Sequence, residues 1–238
     1  MQRYFGKKQD GRSFLLSKED SYHILTVMRM TIGDIVEVVW EGKLYLCQII
    51  SIKEAQVMAQ IVEEVDQNGE LPCQVTIAQA LVKENKMDYL LQKTVELGVS
   101  AIFPFLATRC VVKINGKEEK KIERWQRIVK EASEQSKRLV IPRVSPVLDI
   151  DKLCKVECEL KLLCTVNELS NTIKRELQNY QNGDRIIIVV GPEGGFTKEE
   201  ENKLLQAGYR PVSLGNLVLR TETVGLYVMS IINYYFMR

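Results

Sequence analysis

After residue 72 the chain settles into a strict alternation that few folds can accommodate. Aliphatic runs exchange with amphipathic stretches: QVTIAQAL, then MDYLLQKTVEL closed by Gly98, AIFPFLAT, KKIERWQRIVKEASEQS, ELKLLCT and NTIKRELQNYQ. IIIVVG, a helix beginning at Thr197, PVSLG and a last apolar helix complete the series. Alternation of this kind predicts a mostly parallel sheet covered by helices, an α/β fold. Ligands of such open sheets collect at the carboxyl ends of the strands.

The first 65 residues follow another rule. DIVEVVW and KLYLCQIISI flank a two-residue turn at Glu41-Gly42, QVMAQIVEEV follows, and all three are rich in strand-forming residues. Ser17 to Asp20 fits a capping pattern ahead of SYHILTVM, predicting one short helix inside a small β-barrel. DQNGELP, with Gly69 and Pro72 as breakers, separates the two regimes, giving domains over 1–68 and 72–238.

Composition narrows the class. With 238 residues, 45% apolar and 27% charged, the chain has the makeup of a globular protein rather than a fibre or a disordered tail. MQRYFGKKQDGRS has basic residues but no apolar stretch of roughly 7 to 15 residues behind them, so a cytoplasmic location is expected. The apolar segment VGLYVMSIINYYF contains Gly225, Ser230 and Asn233 and is too short for a membrane span, so no membrane partner is expected. Cysteines at 47, 73, 110, 154, 158 and 164 match no zinc spacing, and His23 is the sole histidine, so reduced thiols and no metal are expected.

Net charge is only +2, but its distribution is uneven. From Arg109 to Arg143 eleven Lys or Arg face five Glu, a local +6; from Met1 to Met30 six face three acids, a local +3. An amphipathic helix with a solvated face explains one such run, whereas two separate basic patches point toward nucleic acid.

The junction GPEGGFTKEE carries the chemistry. Thr197 and Glu200 form a T-x-x-E capping box, which fixes the far end of the loop. Pro192 stiffens its entry, while Gly194 and Gly195 let a ligand approach the main chain and permit positive φ. Neither GxxxxGK[ST] nor GxGxxG is present, which argues against a phosphate loop and for a nucleoside without a phosphate tail. A second loop, NLVLRTETV, follows PVSLG. There Thr221 or Thr223 is expected to cap the last helix and Glu222 to suit its dipole, leaving Arg220 unexplained by local structure.

With those residues in view, the chain resembles the family of 16S ribosomal RNA (uridine N3) methyltransferases, within the SPOUT superfamily. GPEGGF with its helix start and LGNLVLRTETV match the two cofactor loops; KENKMDYLLQKTVELGV, TRCVVK and ERWQRIVKEASEQSKR match earlier blocks. MQRYF and HILTVMRMTIGDIVEV resemble its PUA-like RNA-binding domain. The resemblance implies a SPOUT domain with a deep trefoil knot, S-adenosylmethionine held in it, a homodimer, and 16S rRNA in an assembled small ribosomal subunit as substrate. Carried over by position, the cofactor residues are Cys164, Thr165, Glu168, Gly191, Pro192, Glu193, Gly194, Gly195, Leu214, Gly215, Asn216, Leu219, Arg220 and Thr221. Two positions depart from the pattern: Leu217 stands where arginine is usual in LGxRxLR, and Lys137 where glycine is usual after EQS.

Methylating uracil N3 requires loss of a weakly acidic proton, hence a base or a stabiliser of the ring anion. Glu222 and Arg220 are the candidate catalytic pair, with Glu193 a second carboxylate; His23 falls in the accessory domain and reads as structural. Arg3, Arg29, Arg109 and Lys113, with Lys83 and Lys86 behind them, are the candidate RNA contacts. Leu217 leaves room for a catalytically inactive RNA-binding assembly factor of the same fold, and the missing phosphate motifs disfavour a nucleotide-dependent α/β enzyme.

Overall fold

The computed structural model describes residues 1–113, 116, 118–178 and 185–236. The chain forms two compact units: Met1–Glu70 together with Ser133–Val140, and Leu71–Ala132 together with Ile141–Arg238.

In the first unit six strands, β1 (Arg3–Phe5), β2 (Lys7–Lys8), β3 (Ser13–Leu15), β4 (Ile35–Trp40), β5 (Lys43–Lys53) and β6 (Gln56–Val65), make one sheet in the order β1-β4-β5-β6-β3-β2. Only the β1–β4 pair is parallel. The barrel expected from sequence is thus an open one, with β1 and β2 at its edges. Ser17 caps the short helix α1 (Lys18–Tyr22) by accepting from the Asp20 amide, and a single π-helical turn continues over His23–Val27. His23 receives or gives a hydrogen bond at the Tyr4 hydroxyl, 2.9 Å away, a structural tie.

Arg3 corrects an expectation. Its side chain is only 2% exposed, is ion-paired with Glu37 and donates to Gln67 and the Lys137 carbonyl, so it has no surface to offer RNA. Buried guanidinium groups survive only when so paired. Lys137 itself sits at φ +62, in the left-handed region. Such a φ suits the glycine that the resemblance leads one to expect there. This chain uses lysine instead and ties its ammonium to Glu37 at 3.0 Å. Leu139, from the same segment, packs with Val39 and Leu44.

The second unit holds β7 (Gln74–Ala80), α2 (Glu84–Glu96), β8 (Ala101–Phe105), α3 (Glu118–Gln135), β9 (Arg143–Val144), α4 (Ile150–Cys154) and β10 (Leu160–Cys164). α5 (Ile173–Leu177), β11 (Arg185–Val190), α6 (Lys198–Gln206), β12 (Arg210–Val212) and α7 (Thr221–Phe236) follow. The sheet is wholly parallel, in the order β12-β10-β11-β7-β8-β9. β11 shows why the sequence has unbroken aliphatic runs: Ile186, Ile188 and Val190 enter one core cluster while Ile187 and Val189 enter another. A strand buried on both faces has no polar side to alternate with. The helix read over NTIKRELQNYQ ends at Leu177, and residues 179–181 of that stretch lie outside the described residues. β9 and α4, where Asp149 caps by accepting from the Lys152 amide, lie in a stretch where the alternation predicts no element.

Candidate active site

The tips of β10, β11 and β12, three neighbours in the sheet, open into one cavity of about 970 Å³. Its walls are the loops after those strands, and every residue expected in the three cofactor loops lines it. The volume lies at the upper end of small-molecule sites. Val190, Leu219 and Val224 supply apolar wall; Cys164 lies at its base, where burial pushes the thiol up to about 12.

The loop after β11 is fastened from several sides. Thr197 and Glu200 form the expected capping box, and the buried Glu200 also accepts from the Thr108 amide at 2.7 Å. Arg109 donates to the carbonyls of Gly194 (2.9 Å) and Phe196 (3.2 Å), so it acts as a staple of this loop. Phe196 stacks on Phe105 with ring centroids 6.2 Å apart. The three glycines have separate reasons. A Cβ on Gly191 would come within 2.7 Å of the Phe196 ring, and one on Gly194 within 3.2 Å of Arg109, whereas Gly195 takes φ +68 with open space around it. Only the last needs the left-handed region.

Thr221 does not cap α7 through its hydroxyl. That hydroxyl donates to the Gly191 carbonyl (2.7 Å) and accepts from the fully buried Gln79 amide (3.0 Å), tying the start of α7 to the tip of β11. Gln79 is not among the sequence candidates, although an amide inside the apolar run VTIAQAL is a signal that something must satisfy it. In the loop after β10, Glu168 turns onto its own backbone: bonds from the Asn171 and Ser170 amides hold its carboxyl near 2.

Charged groups gather on one wall. Lys86, from the first turn of α2, lies 2.5 Å from Glu193 and 3.1 Å from Glu222. Lys86, Glu193 and Arg220 line the cavity; Glu222 does not, and stands behind Lys86. Glu193 first and Glu222 second hold the Lys86 ammonium above its ordinary value, and Lys86 in turn holds the Glu193 carboxyl below its own. Of the sequence-derived pair, Arg220 therefore lines the cavity while Glu222 supports it through Lys86. Of the RNA-contact candidates, Lys83, Arg29 and Lys113 are exposed, and Lys86 and Arg109 belong to the pocket.

A parallel sheet with a glycine-edged nucleoside-sized pocket across three adjacent strand tips defines a class, and comparison names it. The RNA methyltransferase domain model matches residues 69–233 and the RNA methyltransferase PUA domain model residues 16–61. The chain belongs to this RNA methyltransferase family. It is similar to the ribosomal RNA small subunit methyltransferase E of Bacillus subtilis, with 37% identity across 98% of this chain and 96% of that one. Its fold matches the crystal structure of ribosomal RNA small subunit methyltransferase E from Neisseria gonorrhoeae bound to S-adenosyl methionine: TM-score 0.88, 29% identity, 99% and 98% of the chains covered. A methyltransferase from Legionella pneumophila in complex with the same cofactor matches at TM-score 0.87 and 31% identity, over 98% and 97% of the chains.

Proposed function

We propose that this chain transfers a methyl group from S-adenosylmethionine to N3 of a uridine in the 16S rRNA of the small ribosomal subunit. The observation that carries the reading is the single cavity shared by the loops after β10, β11 and β12. Relatives named as methyltransferases favour this over an inactive assembly factor.

The residues present fit the cofactor. Gly195 and Gly215 leave open space where a side chain would stand, so main-chain groups are bare to a ligand. Thr165, Ser213 and Asn216 offer hydroxyl and amide partners, Val190, Leu219 and Val224 an apolar surface, and Glu193 and Glu201 negative charge for a sulfonium. When bound, the cofactor supplies an electrophilic methyl group. The loops contribute alignment, worth about 7 to 11 kcal/mol when reacting partners are held at near-attack distance.

N3 lies on the pairing edge of uracil, so the target uridine enters single-stranded or extruded. Glu193 is 43% exposed on the cavity wall, where its carboxylate takes the N3 proton, and Arg220 faces the charge that spreads over the ring oxygens. Residues 1–68 serve RNA binding and 72–238 the transfer. Exposed Val166, Leu169, Leu217 and Val218 at the cavity rim support a homodimer whose second copy covers them. β10 lying between β11 and β12 supports the knotted path around the pocket. No helix among the described residues is long and apolar enough to cross a membrane, in keeping with a ribosomal substrate in the cytoplasm.

The test is incubation with methyl-labelled cofactor and small subunits from cells lacking the activity, followed by mass spectrometry of the 16S rRNA. One methyl on N3 of one uridine is expected. Unlabelled RNA, both free and in subunits, would overturn the reading.

A further inference from the structure

We propose that Lys86 is a catalytic residue of this transfer, donating from its ammonium to a carbonyl oxygen beside N3, and that Glu222 is its positioning residue. The inference rests on the function proposed above and adds an electrophile to it.

The placement of Lys86 is not explained by helix stability, because a cation in the first turn of α2 opposes the helix dipole. It is explained by what surrounds it. Lys86 bridges a carboxylate on the cavity wall, Glu193, and one behind it, Glu222. Glu222 is only 13% exposed, and its Oε2 is buried with no hydrogen-bond partner among the described residues. A carboxylate so withdrawn from water gains little stability from one lysine. It does fix that lysine's charge and direction. Glu193, by contrast, is open to exchange.

The two partners divide the work. A uracil carbonyl entering the cavity displaces Glu193 from Lys86 while Glu222 keeps its hold, so the ammonium stays charged and aimed. The freed Glu193 is then a stronger base than when paired. The N3–H bond breaks with its proton passing to the Glu193 carboxylate, and the electron pair spreads from N3 to O2 and O4, one of which accepts from Lys86. N3 forms its bond to the methyl carbon as the carbon–sulfur bond breaks, its pair remaining on sulfur as a neutral thioether. One displacement of partners thus makes the substrate more acidic and the base more basic together.

The experiment measures single-turnover methylation by the full-length protein of small subunits reassembled on 16S rRNA transcribed with uridine or with 5-fluorouridine, whose fluorine acidifies N3. For Lys86→Met the rate on uridine RNA should fall about 100-fold, the scale of losing one donor to a developing oxyanion. Most of that loss should return on fluorouridine RNA, while calorimetric affinity for S-adenosylmethionine stays within about threefold of wild type. Lys86→Arg should keep activity within about tenfold, and Glu222→Gln should lose about tenfold with the same recovery on fluorouridine RNA. Equal losses on both RNAs would show a structural role only and overturn the proposal. So would full activity of the double variant Lys86→Met, Glu222→Gln, which would trace the defect to a stranded carboxylate. Failure of the wild type itself to methylate either RNA would bring down the reading of the site, and this proposal with it; an active wild type beside an active Lys86→Met would bring down the Lys86 role alone.

Discussion

The two glycine-bearing loops of the pocket are built in opposite ways. The one after β11 is held by Arg109, Phe196, the Thr197–Glu200 capping box and the Thr221 hydroxyl. The one after β12 exposes Gly215 and Asn216 and leaves Leu217 at 79% and Val218 at 83% accessible. The first is a finished wall, pre-organised to present its main chain. The second is an open wall whose apolar side chains stand in solvent. Affinity and fidelity gain from rigidity in one place and from adaptability in the other.

Substitutions can break that contrast. The largest effect is expected for Gly191→Val, which drives a side chain into the Phe196 ring; overpacking of this kind costs up to about 3 kcal/mol, and urea unfolding should show it together with loss of cofactor binding. Thr221→Val removes a donor from the Gly191 carbonyl and an acceptor from one N–H of the buried Gln79 amide and should cost about 2 kcal/mol by the same measurement. Gly195→Ala meets open space, so only its positive φ opposes it, for about 1 kcal/mol. Leu217→Arg, in the open loop, should change stability by less than about 0.5 kcal/mol. Its effect belongs to RNA, steepening the log-log salt dependence of binding by about 0.7 for one added phosphate contact. A large stability change for Leu217→Arg, or none for Gly191→Val, would erase the distinction between the loops.

Much of this was legible beforehand because local signals agreed with tertiary ones. The capping box at Thr197, the hairpin at Glu41-Gly42 and the doubly buried run IIIVV each have one cheap solution. What escaped depended on contacts distant in sequence. Arg3 reads as a surface cation until Glu37, Gln67 and the Lys137 carbonyl surround it. Residues 133–140, the last turn of α3 and the segment after it, group with the first unit, which no composition boundary at DQNGELP can announce. Of the candidate pair in RTETV, Arg220 lines the cavity and Glu222 reaches it through its ion pair with Lys86. The sequence spacing of RTETV does not reveal which of its side chains line the cavity.

The sheet order has a consequence for the protein's birth. Gln74 must wait for Arg185 before β7 has its central neighbour, and the third side of the pocket follows β12. Such non-local pairing is slow. A nascent chain emerging from the ribosome therefore cannot close this cavity until the loop after β12 has been made, so a ligand that needs all three walls waits for that loop.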